Sequence, residues 1–175
     1  MSAGKVRLPV RFPIMPLKTF ILVAVLALFG APQPVLAEEP QALSVSPLVI
    51  ETAKGSFDFE VEVALSPDEK RTGLMFRKHM AADHGMLFYY PFPQRIGMWM
   101  KDTEIPLDMV FLYKDGTVAS IFEGAVPQSL DTIESGDYVN GVLELNAGVV
   151  EKLGIHEGDK VRHEIFGNLK GGKHD

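Results

Sequence analysis

Ten consecutive residues, SFDFEVEVAL at positions 56–65, alternate without a break: Phe57, Phe59, Val61, Val63 and Leu65 against Ser56, Asp58, Glu60, Glu62 and Ala64. A period of two fits a β-strand, whose successive side chains point to opposite faces, and fits no helix. One face of this strand is apolar and must be covered, so the chain needs a sheet with a layer packed against it. The residues that follow supply more short strands. MLFYY (86–90) is apolar on both faces, and Ile96, Met98 and Met100 alternate with Gly97, Trp99 and Lys101. LDMVFLY (107–113) runs into Lys114, Asp115 and Gly116 and then TVASIFE (117–123). An Asp-Gly pair between two β-rich runs marks a hairpin. Residues 126–138 read as a surface loop and VNGVLEL (139–145) as a strand. In EGDKVRHEI (157–165) a turn leads to a last strand with Val161, His163 and Ile165 on one face.

Helical signals are few. Ser66 is a strong N-cap, Pro67 suits the first helical position and Glu69 completes a capping box, so a helix is expected from Pro67 to about Phe76. Gly73 falls inside it at a cost of about 1 kcal/mol against alanine, which points to a close contact on that face. Asn146 is placed to cap a short helix through Leu153 that stops at Gly154. Six to eight short strands with two short helices predict an α+β domain whose sheet is mainly antiparallel and curled toward a barrel.

The N-terminus reads as an address. Lys5, Arg7, Arg11 and Lys18 precede the uninterrupted apolar stretch 20–31, and Val35 and Ala37 close an A-x-A-like site. This is the pattern of a secretory signal peptide cleaved after Ala37. The stretch is short against the roughly 20 residues of a membrane span, which makes an uncleaved anchor the alternative. The expected layout is a signal peptide over 1–37, a tether and first extended segment over 38–55, one domain over 56–167 and a flexible tail over 168–175. The product is periplasmic or secreted and, once the signal is removed, is not held by the membrane. All 23 acidic residues and 13 of the 17 basic ones lie beyond Ala37. Such an acidic chain is a poor partner for nucleic acid. With no cysteine, it has neither a disulfide framework nor a lipid-modified N-terminal cysteine.

RTGLMFR, GMLFYY, MWMKDTEIPLDMVFL, DGTV, VLELNAG and LGIHEGDKV, in that order, resemble the DUF192 (UPF0127) family over residues 57–165. The resemblance implies a compact α+β domain with a barrel-like sheet, often behind a signal or anchor segment. It implies no activity, because the family carries that name for want of one.

Two carboxylates stand where strand alternation expects apolar side chains. Asp108 shares a face with Val110 and Leu112, and Glu144 shares one with Val142 and Asn146. A carboxylate on a buried face must be paired or hydrogen-bonded, or its pKa rises. Arg71, Arg77 and Lys101 are the cations near them in the sequence blocks. The pair reads either as an acid and base in a cleft or as a structural network that fixes strand register. Trp99, beside Gly97 and Lys101, reads either as a stacking surface for a sugar or planar ligand or as a cap on the core. Six of the eight methionines fall between positions 75 and 109. Met86, Met98, Met100 and His84 are the candidates for holding Cu(I), set against the ordinary use of methionine as a core filler. No nucleophile elbow, phosphate loop or dinucleotide fingerprint occurs.

The residues favour a non-catalytic binding or accessory module without a cofactor. Its expected partner is a small molecule or cell-envelope ligand held by Trp99, Lys101, Asp108 and Glu144, with Arg71 and Arg77 behind them. An acid–base enzyme acting on an envelope sugar or polymer and a Cu(I) carrier are the alternatives.

Overall fold

The computed structural model describes residues 39–169. The segment expected to be a signal peptide, residues 1–37, and residues 170–175 of the expected tail lie outside them. The strands are β1 (Val45–Thr52), β2 (Gly55–Ala64), β3 (His84–Gln94), β4 (Gly97–Met98), β5 (Leu107–Leu112), β6 (Val118–Ala125), β7 (Ile133–Glu134), β8 (Val139–Asn146) and β9 (Lys160–Arg162). Helix α1 is Pro67–Thr72, helix α2 is Val149–Leu153, and a 3-10 turn occupies Glu164–Phe166. Seven strands form one sheet in the order β6-β5-β8-β3-β2-β1-β9, and β4 and β7 form a separate ribbon.

The sheet is antiparallel except where β2 runs parallel to β3. A parallel neighbour needs a crossover, which α1 and residues 73–83 supply. The sheet curls until its edges meet. Thr117 bridges Lys160, and Val118 and Val161 donate to Asp159 and Gly116 across the seam at 2.9 and 2.8 Å. The α+β class and the curled, barrel-like sheet read from the sequence are therefore what the chain adopts.

Two apolar layers follow. The concave layer holds Leu48, Ile50, Phe59, Val61, Leu87, Val110, Leu112, Leu143, Leu145 and Val161, closed at one end by Val150, Leu153 and Ile155. The convex layer holds Ala64, Leu74, Met86, Phe88, Met109, Phe111 and Val142 under Ile96, Met98, Met100, Ile105 and Ile133. β5 is buried along its whole length and β8 at all but its last residue, so they carry no amphipathic alternation.

Several sequence expectations change. The alternation of β2 holds through Val61, but Ala64 is buried and Leu65 exposed, because the convex layer covers the strand's other face beside α1. The helix after Ser66 ends at Thr72, not near Phe76, and keeps its capping box. Gly73 is the residue that ends it, with φ at 48°, and a Cβ there would stand 3.1 Å from the Phe88 ring. Asn146 does not cap α2. Its amide donates to the carbonyls of Met80 and Ala81, and the N-cap is Gly148, which has no side chain to offer. The loop 126–138 contains β7. The last strand stops at Arg162, and His163 caps the 3-10 turn instead. β1 falls in the segment 38–55 read as a tether and first extended segment; it pairs with β2 and β9 and places Leu48 and Ile50 in the concave core. Asn168, at the start of the expected tail, hydrogen-bonds Asp115, Val161 and His163.

Candidate functional site

A cavity of about 290 Å³ opens on the convex side between α1, β3, β8 and the segment that carries Trp99. Its walls are Met75, Phe88, Tyr90 and Met98, with Lys70, Arg71 and Trp99 toward the mouth. Glu144 lines it and is only 4% exposed. The register explains that position. Met86 on β3 and Met109 on β5 are the direct cross-strand partners of Glu144 on β8, so its carboxyl group rises between two thioether side chains. Among the described residues it has no side-chain hydrogen-bond or ion-pair partner. Burial alone pushes its pKa up to about 8. Tyr90 is likewise raised, first by burial and then by the Glu144 charge.

The rim is built by α1. The Lys70 ammonium sits 4.4 Å above the Tyr90 ring, and burial lowers its pKa. Arg71 pairs with Asp68 on the same exposed face. The end of α1 is tied to the Trp99 loop by the Phe76 N–H, which donates to the Asp102 carbonyl at 2.8 Å. Both residues are in the left-handed region, with φ at 64° and 53°. Such conformations persist only where surrounding structure imposes them, and here they join two walls of one cavity.

The cavity gathers Trp99, Glu144 and Arg71 from the sequence candidates and leaves out the other three. Asp108 is fully buried on the concave face, opposite to Glu144. Its two oxygens accept the backbone N–H groups of Gly124 at 2.9 Å and Val150 at 3.0 Å. It is a structural clamp, and an acid–base pair with Glu144 is ruled out because the sheet lies between them. Arg77 grips Glu62 at 2.6 and 2.8 Å and donates to the Gln41 carbonyl, which fastens the chain before β1 to β2. Lys101 pairs with Asp102 at 2.9 Å outside the cavity. Of the copper candidates, Met86, Met98 and Met100 lie in the convex core, whereas the His84 ring faces the carboxylate of Asp83 at 2.8 Å near the surface. Among the described residues no group of three or more His, Cys, Asp or Glu is arranged for a metal.

Sequence reading missed Lys70, Tyr90 and a second feature. Ser46 Oγ lies 2.8 Å from His163 Nε2 in a groove of about 720 Å³ also lined by Glu69 and Glu164. The contact resembles a nucleophile and base, but His163 Nδ1 accepts the Ile165 N–H. Nε2 therefore carries the proton and donates it to Ser46, which leaves the serine without a base. No spacing could have signalled a pair 117 residues apart.

The DUF192 family model, described as uncharacterized ACR, matches residues 49–163. This chain belongs to the DUF192 family. Among solved structures, the DUF192 domain described here is similar to a Sinorhizobium meliloti 1021 protein provisionally described as a transcription regulator. The two are 42% identical with a TM-score of 0.70, over 73% of this chain and 99% of that one. It is also similar to a protein of unknown function from Novosphingobium aromaticivorans DSM 12444, at 33% identity and TM-score 0.67, over 77% of this chain and 99% of that one. No curated protein matches the chain.

Proposed function

We propose that this DUF192 protein is an exported, non-catalytic binding module that holds a small ligand in the cavity between Trp99 and Glu144. The observation that carries the reading is Glu144 itself. A carboxyl group buried without a hydrogen-bond partner destabilises a fold, and such groups concentrate at sites where something else completes them. Apolar walls with a few polar groups converging on one space are the usual make-up of a small-molecule site. Among the described residues Glu144 is the only acid that lines the cavity, and Glu62, two strands away on the same face, is engaged by Arg77. This argues against glycosidase-like chemistry, which needs two free carboxyl groups about 5 to 10 Å apart.

A thermal-shift panel of sugars, peptidoglycan fragments, free amino acids and organic anions tests the site. A ligand at 100 times its Kd adds about 2.7 kcal/mol of stability. The shift is expected to vanish in Trp99→Ala, at a residue 48% exposed. A panel without any shift, or an undiminished shift in the variant, overturns the site.

Export is supported by the basic leader, the short apolar stretch and the small residues before Glu38. N-terminal sequencing of protein recovered from the periplasm or medium should begin at Glu38. Recovery of full-length chain in the membrane fraction would show an anchor instead.

A further inference from the structure

The cavity holds two groups of opposite charge type that do not satisfy each other. Glu144 is deep, and among the described residues it has no hydrogen-bond partner and no cation that offsets its burial. Lys70 is half-buried and rests its ammonium on the Tyr90 ring; among the described residues it makes no salt bridge, and its charged neighbour Glu69 is not part of the cavity lining. Between them the walls are thioether and aromatic: Met75, Met98, Phe88 and Trp99. A neutral polyol would give Lys70 no counter-charge inside the cavity. A plain anion would leave Glu144 desolvated, and a plain amine would face Lys70 as a like charge. A molecule with both charges on a small apolar body satisfies every group at once.

We infer that the ligand is a small zwitterion with an apolar side chain, of the free amino-acid class, whose ammonium meets Glu144 and whose carboxylate meets Lys70. This rests on the binding reading above and narrows it to one chemistry. The cavity, at about 290 Å³, suits a molecule of that size. Aromatic faces beside the carboxyl group favour an ammonium further.

Ionisation supplies a signature that a merely apolar pocket lacks. Burial keeps Glu144 protonated up to a pH of about 8. Pairing with an ammonium restores the charged form, so binding at pH 7 expels a proton from the carboxyl group to the buffer. The other titratable or charged groups lining the cavity are Tyr90 on β3 and Lys70 and Arg71 on α1. Tyr90 is raised and stays neutral in this range.

Isothermal titration calorimetry decides it. The probes are L-leucine and L-methionine, then isoamylamine and 4-methylpentanoate, which lack the carboxylate and the ammonium of leucine, and glucose as the neutral control. Leucine or methionine should bind, with each truncated analogue weaker by about tenfold or more. Between pH 6 and pH 8 the affinity should rise by about tenfold or more, and the heat should vary with buffer ionisation by close to one proton released at pH 6 to 7, falling to about half a proton at pH 8. Glu144→Gln should abolish that proton release and weaken leucine and isoamylamine while leaving 4-methylpentanoate unchanged. Lys70→Met should do the reverse. Leucine and methionine binding no tighter than the truncated analogues, or binding without proton release, overturns the zwitterion. Glucose or another neutral probe binding where both amino acids fail also overturns it, yet keeps the site. Silence across these probes and the wider panel removes both readings.

Discussion

Asp108→Ala is expected to destabilise the domain by about 3–5 kcal/mol, read as a lower midpoint in urea unfolding. The size follows from what one carboxylate does at two defects of the backbone. Helix α2 begins after Gly148, which has no side chain to accept a helix N–H, and Asp108 Oδ2 reaches across from β5 to accept that of Val150. On the other side the β5–β6 register slips between Leu107 and Met109. The slip leaves the Gly124 N–H pointing at the strand, where Oδ1 accepts it. Alanine strands both donors and opens a void in the concave core. Small domains have about 5–15 kcal/mol in total, so the variant should sit near its unfolding threshold. Asp108→Asn keeps one acceptor and turns an N–H toward the other donor, so its loss should fall between wild type and alanine. An alanine variant with unchanged stability would show that this clamp is dispensable.

Glu144→Met should do the opposite, raising stability by about 3 kcal/mol at pH 7. The free carboxyl value of 4.5 is lifted to about 8 in the fold, so the native state holds its proton more tightly than the unfolded chain. The sign follows. Below pH 4.5 the group is protonated in both states and costs no ionisation penalty. As pH rises from 4.5 to 8 the unfolded state gains by ionising while the native state does not, and stability falls throughout that window. Above 8 the loss is complete. Methionine removes the ionisable group and matches the Met86 and Met109 chains that flank it, so its advantage should disappear on acidification to pH 4.5. Glu144→Gln should flatten the same pH dependence. Urea midpoints measured from pH 4.5 to 9 check both, and a wild-type curve that is flat across this window would mean that Glu144 is solvated. The ligand proposed above would offset this cost by completing the carboxyl group in the cavity.

How much of this was legible from the chain depends on how local each signal is. The period-two run of β2, the Ser66 capping box and the Asp115-Gly116 turn are encoded within a few neighbours, and the class of fold follows from them. The alternation of Ile96, Met98 and Met100 against Gly97, Trp99 and Lys101 likewise survives in the structure as buried against exposed. Asp108 and Glu144 were visible as acids in apolar runs for the same reason. What the sequence could not say is which face each would occupy. β5 and β8 are buried on both sides, so alternation gives no inside or outside, and only their mutual register sets Asp108 beside Leu145 and Glu144 beside Met109. That pairing joins residues more than thirty positions apart. It decided that one acid became a backbone clamp and the other the floor of a cavity. Lys70 and Tyr90 entered the cavity by the same route, through the crossover that lays α1 over the convex face. Local pattern determined the elements and the curled sheet; long-range register, held by ladder hydrogen bonds and core packing, determined the site.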